Sequence, residues 1–143
     1  MELVSVVITT YKGYEKLDRA INSVLAQTYP NIEIIVVDDN TRGTEERYFT
    51  EKVMRLYQEE NIIYLKQDVN RNGAAARNTG IKAANGKYIT FLDDDDYIVQ
   101  NRVEEAIIQL RKNSANIFLC SVCVVRKNIG IKIVHAPEKI CAK

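Results

Sequence analysis

Residues 72–96 read NGAAARNTGIKAANGKYITFLDDDD, and the order of their parts decides the fold. A polar loop, Gln67 to Gly73, leads into an alanine-rich segment that is expected to be helical over Ala74–Ala84. Asn85-Gly86 closes it with the two residue types that best tolerate a left-handed backbone. Tyr88 to Leu92 (YITFL) is then a buried strand. It runs straight into four aspartates, Asp93 to Asp96.

The same alternation extends in both directions. Upstream, Leu3 to Thr10 (LVSVVITT) is a β-branched apolar run, the mark of a strand covered on both faces. After the loop Tyr11-Lys12-Gly13, Leu17, Ala20, Ile21, Val24 and Leu25 recur at helical spacing. Tyr29-Pro30 stops that helix. Ile32 to Val37 (IEIIVV) is a second strand, ending in Asp38-Asp39-Asn40. Thr44 is a good N-cap for a second helix, with Glu45 and Glu46 favourable in its first turn. Its expected buried face is Phe49, Val53, Leu56 and Tyr57, and Ile62 to Lys66 is a third strand. Downstream, Val103, Ala106, Ile107 and Leu110 mark a fourth helix, Ile117 to Val125 a fifth strand, and the segment beyond Arg126 a strand or hairpin. Alternation with short links predicts an α/β fold, a three-layer α/β/α sandwich around a mostly parallel sheet. Ligands of such sheets sit at the carboxyl ends of the strands.

Composition narrows the function classes. The chain has 143 residues, 46% hydrophobic and 27% charged, in keeping with a single domain over 1–143. A net charge of +1 argues against a nucleic-acid partner. No apolar run approaches the ~20 residues of a membrane span, and the N-terminus does not read as a signal peptide. The three cysteines suggest a reducing, cytoplasmic compartment. Cys120 and Cys123 form a C-x-x-C on a predicted strand, where they face opposite sides, so they are expected to be structural rather than metal-binding. His135, the single histidine, is expected to be inert.

Chemistry concentrates at the strand ends: Thr9-Thr10-Tyr11, Asp38-Asp39 and the four aspartates. Each acid, taken alone, reads equally well as a helix or turn cap. Four in a row after an apolar strand repel one another, which a cation or water relieves, with an exposed acidic turn as the alternative to a cation site. Mg²⁺ and Mn²⁺ favour carboxylate oxygens and usually share them with substrate phosphates. Phosphates imply a nucleotide. Tyr11 is a ring on which a base stacks, Asp39 an acceptor for the ring N–H that uracil has and cytosine lacks, and the Gly73–Arg77 helix start offers N–H groups and a guanidinium to anions.

The segments VSVVITTYKG, NIEIIVVDDN and NGAAARNTGIKAANGKYITFLDDDD, in this order, resemble glycosyltransferase family 2, from about Val4 to about Leu110. The resemblance implies the Rossmann-like GT-A nucleotide-binding fold. It implies an inverting transferase that moves a sugar from a nucleotide sugar, expected to be a UDP-sugar, to a saccharide or lipid-linked acceptor. Thr9 and Tyr11 match residues around the base and Asp39 the acid that contacts uracil. Arg77 and Asn78 match a segment near the nucleotide. Asp93 and Asp95 match the outer members of a D-x-D motif that binds Mn²⁺ or Mg²⁺. Asp93 and Asp94 are counted with the nucleotide-sugar-binding residues, although the alternating register turns Asp94 away from the ligand. Lys12 stands where the family often has Asn.

Family members run on well past this length, and their second half supplies the acceptor site and the base. Beyond Asp96 the acids here are Glu104, Glu105 and Glu138, none in a base motif. The chain is therefore expected to be a truncated form, peripheral to a membrane at most, with its catalytic base unknown. A non-catalytic nucleotide-binding module is the alternative. A phosphoacceptor signalling domain is disfavoured by Thr10-Tyr11 after strand one and Lys66-Gln67 after strand three. A nucleotidyltransferase would want a glycine-rich loop where Gly13 stands alone.

Overall fold

The computed structural model describes residues 1–113 with their side chains and the backbone of 122–126 and 130–134. The chain divides into two compact units, Met1–Glu104 and Glu105–Lys143. In the first, β1 (Val4–Thr10), α1 (Tyr14–Leu25), β2 (Ile32–Asp38), α2 (Glu45–Arg55), β3 (Ile62–Lys66), α3 (Asn72–Ala83) and β4 (Tyr88–Asp93) follow one another. α4 (Arg102–Lys112) begins in the first unit and runs into the second, which also holds β5 (Val122–Arg126) and β6 (Gly130–Val134).

Four strands form an all-parallel sheet in the order β3-β2-β1-β4. Its alternating faces bury different partners. Val6 and Ile8 of β1 with Ile34 and Val36 of β2 pack against Leu17, Ala20, Ile21 and Val24 of α1 and Met54 of α2. Val7, Ile35 and Val37 face the other way, onto Ala76 of α3. This is the predicted α/β/α layering. α3 lies very close to the sheet at Gly80, where an added Cβ would stand 2.3 Å from a methyl of Val7.

Three details differ from the sequence reading. Of the expected fifth strand, residues 117–121 lie outside the described residues. The described part, β5, does not extend the parallel sheet but pairs antiparallel with β6, the strand found beyond Arg126, in a separate two-stranded sheet. Leu25 and Leu56, expected on buried faces, are 41% and 74% exposed. Leu25 is the last residue of α1 and Leu56 the C-cap of α2, whereas Tyr57 beside it is buried as expected. α2 instead buries Arg47, Thr50 and Met54, with Phe49 and Val53 only half-buried. Cys120, Cys141, His135 and Glu138 lie outside the described residues, as does the side chain of Cys123.

A buried ion pair ties the first turn of α2 to the end of β2. Arg47 Nε lies 2.9 Å from Asp38 Oδ2, and neither side chain is more than 8% exposed. The guanidinium also donates to the carbonyls of Asp38, Asn40 and Gln67. Asp38 accepts from the Asn40 backbone and side chain and from the Tyr64 hydroxyl at 2.6 Å. Burial first, and then the bond to Asp38, push the Tyr64 phenol well above its usual range. Asn40 Oδ1 in turn accepts from the backbone N–H of Lys12 at 2.9 Å. Lys12 is held there at φ +59°, a left-handed conformation that Asn adopts more readily than Lys.

Arg47→Leu is expected to cost about 3 kcal/mol, because it leaves a buried carboxylate without its counter-ion. Adding Asp38→Asn is expected to recover part of that loss; urea denaturation measures both. Lys12→Asn is expected to stabilise by about 1 kcal/mol, a rise of roughly 2–4 °C in melting temperature.

Candidate nucleotide-sugar site

Parallel pairing brings three strand ends to one edge. Thr9 is registered beside Asp93 of β4, and Thr10 beside Asp38 of β2. A cleft of about 470 Å³ opens there, lined by Thr9, Thr10, Tyr11, Asp39, Asn70, Asn72, Gly73, Ala76, Arg77 and Asp93 to Asp95. The structure thus brings together Thr9, Tyr11, Asp39, Arg77, Asp93, Asp94 and Asp95. Asn78 lies on the exposed side of α3 and is not among the lining residues.

Adjacent acids at the end of β2 do different work. Asp38 turns to α2 and its ion pair, whereas Asp39 turns into the cleft. The Asp39 backbone N–H donates to Thr10 O. Its carboxylate accepts from the Arg71 backbone N–H at 2.8 Å and from Asn70 Nδ2 at 2.9 Å. Those bonds fix its orientation and leave lone pairs for a ligand donor. The Tyr11 ring is half exposed at the rim.

The aspartate turn is divided in the same way. Thr9 and Val7 share the face toward α3, so Asp93, registered beside Thr9, reaches that side too. There it meets Arg77, with Nη2 2.6 Å from Oδ1. Asp94 turns to the other side and accepts from the Tyr11 backbone N–H at 3.2 Å. Asp95 is more than half exposed, with Lys16 Nζ 3.9 Å away and its carbonyl bonded by Arg19 at 2.5 Å. Burial, and then the charges of Asp95 and Asp93, raise the Asp94 carboxyl above its usual range. The Thr10 hydroxyl and the Tyr11 N–H act against that shift. Burial and the same two charges raise Asp96, against the pull of Arg19.

Asp93 and Asp95 suit a hard divalent cation. Both are carboxylates at the cleft, and a cation there would take the place of their present contacts with Arg77 and Lys16. Among the described residues no three acids, histidines or cysteines are grouped to hold a metal by themselves. A two-carboxylate set matches the habit of Mg²⁺ and Mn²⁺ of taking their remaining ligands from phosphates and water.

The start of α3 is less open to anions than its sequence suggests. Asn72, at φ +72°, turns its side chain onto the helix and accepts from the N–H groups of Ala74 and Ala75. Asn70 and Asn72 were not singled out in the sequence. Their signal was an Asn on each side of Arg71 just before an alanine-rich helix. Arg47 was missed as well: a basic residue in a first helical turn opposes the dipole and so calls for a partner. Glu104 accepts from the Thr28 hydroxyl at 2.6 Å and does not line the cleft.

Comparisons with known proteins give the family and the fold. The profile of glycosyl transferase family 2 matches residues 5–137. The UDP-Glc:alpha-D-GlcNAc-diphosphoundecaprenol beta-1,3-glucosyltransferase WfgD of Escherichia coli is 33% identical over 138 residues, which are 96% of this chain and 53% of that protein. Among solved structures, S. aureus TarS 1–349 in complex with UDP superposes with a TM-score of 0.69 at 25% identity, over 86% of this chain and 34% of that one. The mannosyltransferase PcManGT from Pyrobaculum calidifontis, in complex with GDP-Man and Mn²⁺, shares the fold at 21% identity, with a TM-score of 0.67, over 87% of this chain and 36% of that one. The chain spans about half the length of the E. coli relative. A profile match over residues 5–137 shows that the chain belongs to glycosyl transferase family 2.

Proposed function

We propose that the cleft is the donor site of a metal-dependent, inverting glycosyltransferase that takes a UDP-sugar and serves a saccharide or lipid-linked acceptor. The observation that carries this reading is the meeting of Tyr11, Asp39 and the Asp93–Asp95 turn in one cleft. Tyr11 offers its ring to the base. The oriented Asp39 carboxylate accepts from the N3–H of uracil, a charge-assisted bond. Thr9 lies beside them, and Arg77 is within reach of ribose or phosphate once it leaves Asp93. Asp93 and Asp95 would hold the divalent cation, which supplies charge neutralisation to the departing diphosphate.

In the reaction, an acceptor hydroxyl attacks the anomeric carbon as the bond to the diphosphate oxygen breaks. Its proton passes to a general base, and a single displacement inverts the carbon. The residues of this cleft hold the leaving group and orient it. The name of the E. coli relative specifies a UDP-sugar donor and an undecaprenyl-diphosphate acceptor, which supports both the donor class and the acceptor class. A lipid-linked acceptor would bring the protein to a membrane surface from the cytoplasmic side. No helix among the described residues is long and apolar enough to cross it.

UDP with Mn²⁺ is expected to raise the melting temperature, by stabilising the native state about 2.7 kcal/mol at a hundredfold excess over Kd. In Asp95→Ala the Mn²⁺-dependent part of that gain should vanish, leaving the response to UDP in EDTA. An equal Mn²⁺ response in the variant and the parent would remove Asp95 from the site.

A further inference from the structure

Asp94 has a role that neither the metal nor the nucleotide accounts for. It sits between two candidate metal ligands, yet its carboxylate is turned to the opposite side of the sheet edge, under the start of α1. There Oδ2 accepts from the backbone N–H of Tyr11. The fit is close. A Cβ placed on Gly13 would lie 1.9 Å from Oδ2 and 2.3 Å from Cγ of Asp94. Gly13 is also the N-cap of α1 and makes no side-chain capping bond. The carboxylate therefore occupies the space a capping side chain would take and brings negative charge to the positive end of the helix.

The next N–H along the chain is held from the other side. Lys12 N donates to Asn40 Oδ1, which belongs to the β2 end. Two consecutive N–H groups, of Tyr11 and of the left-handed Lys12, are thus held by side chains from the ends of the two strands that flank β1. A strained conformation persists where its surroundings over-determine it. The Thr10 hydroxyl, buried beneath, has no hydrogen-bond partner.

We propose that Asp94 is a positioning residue: through the Tyr11 N–H and the space left by Gly13, it sets the turn that presents the Tyr11 ring to the base. This rests on the nucleotide reading above. It assigns Asp94 to base affinity and not to the metal. Loss of the carboxylate should therefore weaken UDP to the same degree with and without Mn²⁺, whereas loss of a metal ligand acts only when Mn²⁺ is present.

The test is calorimetric titration of the 143-residue chain with UDP, in EDTA and in Mn²⁺. Asp94→Ala is expected to weaken UDP about three- to tenfold in both conditions, the worth of one hydrogen bond. Asp94→Asn keeps an acceptor oxygen and should recover most of the affinity. In a Tyr11→Ala background, Asp94→Ala should have no further effect. Gly13→Ala should weaken UDP by displacing the carboxylate, and Gly13→Ala with Asp94→Ala should be no worse than Asp94→Ala alone. Should Asp94→Ala fail to fold, Asp94→Asn and Gly13→Ala still decide the matter, by binding like the parent and binding weakly, respectively. Unchanged affinity in Asp94→Ala, a loss confined to Mn²⁺, or a full loss that persists without Tyr11 each overturns the inference while leaving the nucleotide site standing. A parent chain that does not bind UDP overturns the site and this inference together.

Discussion

The carboxyl edge of the sheet is organised around one buried ion pair, Asp38 with Arg47. Such a pair is weak evidence for net stability, because desolvation offsets most of the attraction. Its contribution here is specification. One guanidinium gathers the carbonyls of Asp38, Asn40 and Gln67, so the ends of β2 and β3 and the first turn of α2 are held together. Asn40, oriented by Asp38, then reaches across to Lys12 and sets the loop after β1. The cleft residues Tyr11 and Asp39 are neighbours in sequence of Lys12 and Asp38. Their positions follow from a network whose own side chains do not line the cleft.

A second regularity follows from strand geometry. Successive residues at a strand end face opposite sides, so a run of acids is sorted into separate jobs by position alone. Asp38 goes to the core side and Asp39 to the cleft. Asp93 goes to Arg77 on α3, and Asp94 to Tyr11 and the start of α1. Asp95 follows in the turn beyond β4, its carbonyl held by Arg19 of α1. Acids that look redundant in sequence therefore have distinct surroundings.

Much of the fold was legible because it rests on periodicity. The β-branched runs of β1 and β2 and the stripe Leu17-Ala20-Ile21-Val24 require burial on known faces, and the structure buries them. The cleft was legible because parallel strands bring their carboxyl ends together whatever their side chains. Polar tertiary contacts were not. Arg47 reads as a surface residue until Asp38 is seen 2.9 Å away. Asn72 reads as loop until its backbone turns left-handed and its side chain caps α3. Lys12 gave no sign in sequence of the left-handed backbone that it adopts. The backbone at φ +59° shows what Asn would ease there.

On the proposed reading, Asp39 and Tyr11 form a site for uracil. Calorimetry of the chain with UDP and with CDP, both in Mn²⁺, tests it most directly. The two ligands carry the same diphosphate and ribose and differ at the base edge that Asp39 would meet. A hydrogen bond to a charged group contributes about 1.5–3 kcal/mol, so UDP should bind at least about tenfold tighter than CDP. Equal affinity for the two would contradict the account.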